Sequence, residues 1–379
     1  MTNKPLSIYV HVPFCLSKCK YCSFYSEIYE KECVLRYFEA LKKTATFFSG
    51  LPENENAVVE TVYFGGGTPT TVDANVLCDF LIHLKKCFNF TKECEITIEA
   101  NPKTVTSASA KLLRESGFNR VSIGIQTTDD SRLSVLGRIH TFEDAKEAFS
   151  ILKSAGFENI SVDLMYALPD SKLENVLFDL ENILKLSPKH ISTYALSLEE
   201  GTPLYTNKES FIFPDDDEQM EEYLLICNKL RENGFHHYEI SNFAMDGFES
   251  KHNLGYWQRR EYIGFGAGAH SFWSNKRFSS KADRRFFVEA CEKSDYISAL
   301  GLNEAEEISD FDKREEEIML SLRISKGLPL PSLSSRIQKL VDEGLANYSN
   351  GVFSLTDKGF FVSNSIIYYL CKELLYDKK

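Results

Sequence analysis

Short apolar runs alternate with longer amphipathic stretches through the first half of the chain. The apolar runs are rich in β-branched residues and predict six strands, at Leu6–Val12, Glu60–Phe64, Glu95–Glu99, Val121–Ile125, Ile160–Met165 and His190–Ala195. The amphipathic stretches predict helices at Tyr29–Phe48, Ala74–Phe88, Ser107–Ser116, Phe142–Ser154 and Lys172–Leu186. Six strand–helix units in series indicate a parallel sheet, because parallel strands need crossover connections.

Glycines mark the ends of two of these helices. Gly117 and Gly156 each follow an amphipathic stretch and precede the next strand by a few residues, where helix ends favour glycine. The strand-to-strand spacing of several tens of residues suits a βα barrel or part of one. We therefore predict an α/β fold with a partial (β/α)6, TIM-like barrel over residues 1–205.

The pattern changes beyond Pro203. Residues 206–305 are predicted to form an accessory segment that opens with an acidic helix entrance. Residues 306–379 predict a mainly helical, winged-helix-like C-terminal domain, in which Asn350-Gly351 is a strong tight-hairpin signal. Winged helices often bind DNA, but no basic stripe lies on these helices, so a packing or docking role is favoured.

Charge and composition exclude several classes of protein. The 379 residues contain 43 Lys and Arg against 55 Asp and Glu, and the net charge of −12 is opposite to that expected for nucleic-acid binding. No apolar run reaches about 18 residues, so no integral membrane segment is expected, and membrane association would be transient and peripheral. The N-terminus lacks a secretory signal, which favours a cytoplasmic protein with reduced thiols.

Polar residues and glycines collect where the predicted strands end. Three cysteines follow the first strand, and the run YFGGGTP ends the second and continues past it. Glu99 ends the third strand, Gln126 follows the fourth, and Asp163 lies late in the fifth. Because the carboxyl ends of parallel strands form the working face of a βα barrel, we expect these residues to meet there.

The cysteines of CLSKCKYC, namely Cys15, Cys19 and Cys22, are candidate metal ligands. Thiolates bind iron or zinc, but a structural zinc site needs a fourth ligand, and no cysteine or histidine pair lies nearby. Three ligands on one short loop favour an iron–sulfur cluster with one open iron. A zinc-stabilised interaction protein is the remaining alternative. The seven other cysteines are expected to be buried packing residues.

The Cys-x3-Cys-x2-Cys loop, with Tyr21 before the third cysteine, resembles that of the radical S-adenosylmethionine superfamily. The resemblance implies a [4Fe–4S] cluster held by the three thiolates, S-adenosylmethionine on the open iron, and a reductant for the cluster. The glycine run resembles the superfamily motif that holds the methionine amino group. It comprises Gly65, Gly66, Gly67 and Thr68.

Further contexts resemble the coproporphyrinogen III dehydrogenase-like branch of this superfamily. In that branch the residues matching Glu99, Gln126, Arg138 and Asp163 contact S-adenosylmethionine. Tyr9 matches a family tyrosine that forms a hydrogen bond near the cluster. Taken alone, each charged residue could equally form a structural ion pair or helix cap.

Two departures separate the chain from the dehydrogenases themselves. Phe24 stands where they carry a further cysteine, and only fourteen residues precede Cys15, where they have a long extension. We therefore expect oxidative decarboxylation of coproporphyrinogen III to be the weaker alternative function. Whether the chain is an enzyme stays open at this stage.

The segment KHNLGYW resembles the HNxxYW motif of the HemW-type haem chaperones, which bind haem and pass it to apo-haemoproteins. The resemblance implies haem contacts by His252, Asn253, Tyr256 and Trp257, and His270 in GAGAHSF is a second candidate. From the residues alone, a buried histidine–aromatic corner is the favoured interpretation of the motif.

Overall fold

The structure, a computed structural model, describes residues 4–376 and is built on a large, mostly parallel sheet. All six predicted strands are present, and their parallel pairing is confirmed. They span Lys4–Val12, Ala57–Gly66, Asn89–Ala100, Arg120–Gln126, Asn159–Tyr166 and His190–Ala195. The α/β fold with a partial barrel is confirmed, because the strand order runs in sequence and ends without closing.

A seventh parallel strand, Tyr262–Phe265, was not predicted. It lies beside Lys4–Val12, with Ile8 opposite Ile263. Its four residues are too short to show a periodic pattern. Antiparallel strands extend both ends of the sheet, at His236–Glu239, Asn242–Ala244, His270–Trp273, Lys276–Ser279 and Glu306–Glu307. The predicted accessory segment 206–305 therefore adds strands to the barrel sheet rather than forming a layer of its own.

The predicted outer helices are also confirmed, at Lys31–Ser49, Ala74–Cys87, Ser107–Ser116, Phe142–Ser154 and Leu173–Leu186. Gly117 and Gly156 follow two of them with φ of 111° and 91°, as a helix-ending glycine requires. Further helices connect the later strands, at Asp130–Val135, Pro203–Thr206, Asp216–Glu232, Lys251–Trp257, Arg284–Glu292 and Tyr296–Leu300.

The core lies between the sheet and these helices. The buried ring of Phe64 meets Phe80 of a helix at 6.2 Å and Phe118 at 5.1 Å between ring centroids. Such aromatic contacts fix the helices against the outer surface of the barrel. The strand ends are thereby held in position for the loops that follow them.

The C-terminal region has the helix–helix–hairpin–helix order predicted for a winged helix. Its helices span Asp310–Ser321, Ser335–Asp342, Asp357–Phe361 and Ser363–Cys371. A small sheet is formed by Leu328–Pro329, Ala346–Ser349 and Val352–Leu355. Asn350 and Gly351 join the last two strands with φ of 51° and 74°, the backbone of a tight hairpin turn.

Within residues 4–376, no helix is long and apolar enough to cross a membrane.

Candidate functional site

A cavity of about 480 Å³ lies at the carboxyl ends of the parallel strands. The residues predicted to meet at this face do so, and the cavity wall includes Cys15, Cys19, Tyr21, Cys22, Gly66, Gly67, Thr68, Glu99, Gln126, Arg138 and Asp163. The structure thus brings residues from four strand ends and the cysteine loop into one space. Their individual roles toward a cofactor stay predictions.

The cysteine loop is held against the barrel by backbone hydrogen bonds at both ends. Tyr29 N–H donates to the carbonyl of Cys15 at 2.9 Å, and Lys20 N–H donates to the carbonyl of Leu136 at 2.9 Å. Thr68 Oγ1 donates to Cys15 Sγ at 3.6 Å.

Within residues 4–376, the three loop thiols do not form a group of ligand atoms that all lie within 4.8 Å of one another. Three sulfurs on one zinc ion, each bonded at about 2.3 Å, would lie within about 4 Å of one another. Among the described residues, ligand atoms that lie within 4.8 Å of one another belong to Cys227, His237 and Asp357, not to the loop cysteines. More widely spread sulfurs suit a cube-shaped cluster, in which each thiolate binds a different iron.

Burial raises the pKa of the Cys15 and Cys22 thiols above the ordinary range. The Thr68 hydroxyl and the Arg138 guanidinium oppose that rise at Cys15 by stabilising its thiolate. Arg138 Nη1 also donates to Cys19 Sγ at 3.4 Å. The Cys15 and Cys22 thiols are therefore protonated near neutral pH until a metal displaces their protons.

The glycine run is required by close packing at every step. A Cβ atom on Gly66 would lie 2.5 Å from the His11 ring, and its φ is +112°. A Cβ atom on Gly67 would lie 2.9 Å from two backbone carbonyl oxygens. The amides of Gly66, Gly67 and Thr68 are already used, donating to Glu99 and to the loop carbonyls. What the run can still offer a ligand is carbonyl oxygen, which suits an ammonium group.

Glu99 is oriented toward the cavity by two donors. Its Oε1 accepts from Tyr63 Oη at 2.8 Å, and its Oε2 accepts from Gly66 N–H at 3.1 Å. Burial raises the pKa of Glu99 to about 7, although both hydrogen bonds favour the ionised form. A carboxylate so placed is suited to accept hydrogen bonds from an ammonium group or from ribose hydroxyls.

Gln126 is turned into the cavity by an irregularity of its strand. The register against the neighbouring strand shifts between Gly124 and Gln126, and Gln126 has φ of +75°. Strained backbone of this kind is concentrated at functional sites. A Cβ atom on Gly124 would lie 2.9 Å from the Gln126 amide nitrogen and 3.3 Å from Arg138. Gly124 therefore makes room for both side chains.

Arg138 and Asp163 complete the polar wall. Arg138 Nη2 donates to the carbonyl of Gly124 at 2.6 Å, while its buried Nε has no partner among the described residues. Asp163 Oδ1 accepts from Ser122 Oγ at 2.9 Å, and burial raises the Asp163 pKa. An unpartnered guanidinium nitrogen beside the cavity fits an additional acceptor, such as the carboxylate of a bound amino acid.

The HNxxYW motif forms the short helix Lys251–Trp257, and His252 lies inside the protein. Only 1% of the His252 surface is exposed. Its Nδ1 bonds Thr61 Oγ1 at 2.8 Å, and its Nε2 bonds Tyr256 Oη at 2.9 Å. Burial lowers the pKa of His252 to about 3, so the ring is neutral. The buried histidine–aromatic corner is the interpretation that the structure supports.

Both ring nitrogens of His252 are occupied, so ligation of haem iron through either one would require its hydrogen bond to Thr61 or Tyr256 to break. The role of His252 as a haem contact stays a prediction. Asn253 takes part in the first turn, where its N–H donates to Ser250 Oγ at 3.3 Å. Trp257 lies beside the buried carboxyl of Glu239. Of the four residues, Tyr256 lines the second cavity described below.

A second cavity, of about 630 Å³, adjoins the first, and Tyr256 lies on its wall. Ser23 and Phe24 line both. Tyr9 lies on the wall of the second cavity rather than the first, and its hydroxyl bonds His11 Nδ1 at 3.1 Å. The sequence analysis missed the arginines of this cavity, although the pair Arg259-Arg260 follows HNxxYW almost directly. Adjacent basic residues in an acidic chain were the available signal.

The partial barrel and the three-cysteine loop at its carboxyl face define the class of radical S-adenosylmethionine proteins. Residues 9–182 match the family model described as the Radical SAM superfamily.

Curated relatives narrow the class. The chain is 33% identical over 380 residues to the heme chaperone HemW of Lactococcus lactis, with 97% of each chain covered. It is 31% identical to the heme chaperone HemW of Bacillus subtilis, covering 95% of this chain and 97% of the relative. The chain belongs to the HemW family.

Among solved structures, the coproporphyrinogen III oxidase HemN of Escherichia coli, a radical SAM enzyme, has the same fold. The TM-score is 0.82 at 20% identity, covering 98% of this chain and 91% of that one. At this identity the likeness concerns the fold alone.

Proposed function

We propose that the protein is a haem chaperone that holds a [4Fe–4S] cluster and S-adenosylmethionine in the first cavity and delivers haem to apo-haemoproteins. The observation that carries the proposal is the match to heme chaperones over nearly the whole chain, 97% in the first relative. The position of Phe24 supports it, because this apolar side chain lines both cavities where the dehydrogenases carry a further cysteine.

Cys15, Cys19 and Cys22 would hold the cluster, and the remaining cavity residues would hold S-adenosylmethionine. Reduced clusters of this kind supply electrons for cleavage of the bound cofactor. The protein's own residues orient the ligand. Glu99 and the Gly67 carbonyl would accept from its ammonium group, and Arg138 would donate to its carboxylate. Ribose hydroxyls would reach Asp163 and Gln126.

The partners follow from this assignment. A haemoprotein that lacks haem receives the cargo, and a reductant supplies the cluster with electrons. The proposed location is the cytoplasm, with transient peripheral contact where the recipient is a membrane protein. The net charge of −12 disfavours stable attachment to anionic lipid. No role in nucleic-acid binding is proposed.

The proposal is tested by anaerobic purification followed by iron and sulfide analysis, haemin titration and a coproporphyrinogen III assay. We expect a four-iron cluster, one haem per chain and no conversion of coproporphyrinogen III. Conversion by reduced protein with S-adenosylmethionine would show the dehydrogenase instead. One zinc ion without sulfide would remove the cluster assignment, and absence of haem binding would remove the chaperone assignment.

A further inference from the structure

We infer that the second cavity is the haem site, that His270 is the axial ligand to the iron, and that Arg259 and Arg277 bind the propionates. This inference rests on the proposed haem-chaperone function and assigns the site within it. It replaces His252, which lies in a helix, as the iron ligand with His270, which begins the strand His270–Trp273. The cavity volume of about 630 Å³ lies within the range of about 300–1,000 Å³ that is usual for organic ligands.

Two histidines line this cavity, and they differ in availability. His11 is buried, with Nδ1 bonded to Tyr9 Oη at 3.1 Å and Nε2 bonded to the carbonyl of Tyr25 at 3.0 Å. His270 is exposed, and its side chain has no hydrogen-bond partner within residues 4–376. An imidazole nitrogen without a hydrogen-bond partner can bind haem iron at no cost in protein hydrogen bonds.

His270 is also held in a defined position. It begins the strand His270–Trp273 and lies opposite Ser279 of the next strand. The turn before it is closed by a hydrogen bond from Ala269 N–H to the carbonyl of Gly266, at 3.1 Å. A ligand on a strand is placed more reproducibly than one on a loop.

Positive charge is concentrated on the wall next to His270. Arg259 Nε and Arg277 Nη2 both bond the Glu316 carboxylate, at 2.8 and 2.9 Å. Arg260 pairs with Glu60 at 3.2 Å. Three guanidinium groups and two carboxylates leave this wall net positive, although the whole chain carries −12.

Each arginine retains donors for a ligand. Arg259 Nη2 is buried and has no partner in the described part of the chain, and Arg277 is 45% exposed. The planar fork of a guanidinium matches a carboxylate, so two such groups suit the two propionates of haem. The Glu316 carboxylate fixes both forks relative to each other.

The rest of the wall is aromatic and suits a flat macrocycle. Tyr256 and Tyr262 meet edge to face at 4.6 Å between centroids. Phe272 lies 5.1 Å from Arg259 and 5.7 Å from Arg277, measured from ring centroid to guanidinium carbon. Phe24, with 69% of its surface exposed, borders the opening. The cavity thus combines a candidate iron ligand, groups that bind anions and an aromatic surface. This combination suits an iron porphyrin with propionate groups better than a linear anion.

The test titrates the full chain with haemin and, separately, with iron-free protoporphyrin IX. His270→Ala should lose the optical and resonance Raman signature of histidine-ligated iron and bind haemin at least tenfold more weakly. Its affinity for protoporphyrin IX should be unchanged, because that ligand has no iron to coordinate. Adding imidazole to His270→Gly should restore the histidine-type spectrum. Arg277→Ala should weaken both ligands about equally.

Matched controls use residues outside the cavity. His236→Ala removes a partly exposed histidine, and Arg36→Ala removes an exposed arginine that is ion-paired with Glu292. Neither should change either titration. His252→Gln should keep the histidine-type spectrum.

If wild type binds haemin but His252→Gln, rather than His270→Ala, loses that spectrum, the inference is overturned and the chaperone function stands. If His270→Ala binds haemin as wild type does, the inference is likewise overturned. If wild type binds no haemin, the proposed function itself fails.

Discussion

The hydroxyl of Tyr63 donates to Oε1 of Glu99 at 2.8 Å, and the ring of the same tyrosine packs against the HNxxYW helix. The Tyr63 ring stacks on His252, with 5.1 Å between ring centroids. Tyr63 thereby joins the buried motif to the carboxylate of the first cavity. His252 packs against Tyr63 and so supports the wall of the first cavity, while Arg259 and Arg260, which follow the motif, line the second cavity.

Tyr63→Phe should weaken S-adenosylmethionine binding while leaving the fold intact. The substitution keeps the ring on His252 but removes one donor to Glu99, which raises the pKa of that carboxyl further. Loss of a hydrogen bond to a charged group corresponds to roughly tenfold in affinity. Isothermal titration measures the effect. Tyr348→Phe, which removes a 3.0 Å bond to the Leu330 carbonyl in the C-terminal region, is the control.

His252→Ala should destabilise the protein by about 2–4 kcal/mol, because it leaves a cavity and removes a hydrogen-bond partner from the buried Thr61 hydroxyl and from the partly buried Tyr256 hydroxyl. Urea unfolding of the cofactor-free chain measures this loss. His236→Ala should cost less than about 1 kcal/mol, since its ion pairs are partly solvated. Equal losses in the two variants would contradict the buried placement of His252.

S-adenosylmethionine affinity should rise with pH until about pH 7 and then level off. Burial raises the Glu99 pKa to about 7, and the cofactor's ammonium favours the carboxylate, so binding releases a proton below that pH. Glu99→Gln should bind more weakly and lose most of this dependence. A wild-type profile that is flat between pH 5.5 and 8 would exclude Glu99 from the contact.

The same shift has the opposite consequence for the empty protein. The folded state keeps a proton on Glu99 that the unfolded chain releases near pH 4.5, so stability should fall as pH rises from about 4.5 to 7. Burial also raises the pKa of Glu239 to about 7, so this carboxyl makes stability fall over the same pH range. Glu99→Gln should therefore reduce the slope of unfolding free energy against pH without abolishing it.

Cys19→Ala should abolish the cluster. The loop then offers two thiolates instead of three, so anaerobic reconstitution should yield less than one-tenth of the wild-type iron and sulfide. Cys227→Ala is the control, because this buried cysteine lies in the long helix Asp216–Glu232 and not in the loop. Normal cluster content in Cys19→Ala would show that another residue supplies the ligand.

Six of the parallel strands could be predicted from the sequence, because each is a compact run of apolar residues. The five outer helices could be predicted because their apolar residues recur at helical spacing. Gly117 and Asn350-Gly351 were equally readable, since they specify their turns through local backbone preferences. The convergence of Glu99, Gln126 and Asp163 followed from topology alone, because parallel strands end on one face.

The second cavity could not be predicted from the sequence in the same way. Arg259 and Arg277 come together around the ring of Phe272 and around Glu316, which lies in a later helix. The burial of His252 depends on Thr61 and Tyr63 from a strand far away in the chain. Such contacts arise from tertiary packing. A sequence motif therefore identifies the residues but does not tell whether each side chain is buried or lines a cavity.

Haem transfer tests the central claim most directly. Protein loaded with one equivalent of haem is mixed with haem-depleted membranes that contain apo-haemoproteins of the respiratory chain, and the haem spectrum is followed over time. The account predicts transfer faster than from haem–albumin at the same concentration, with restored haemoprotein activity. Transfer no faster than from albumin would contradict it.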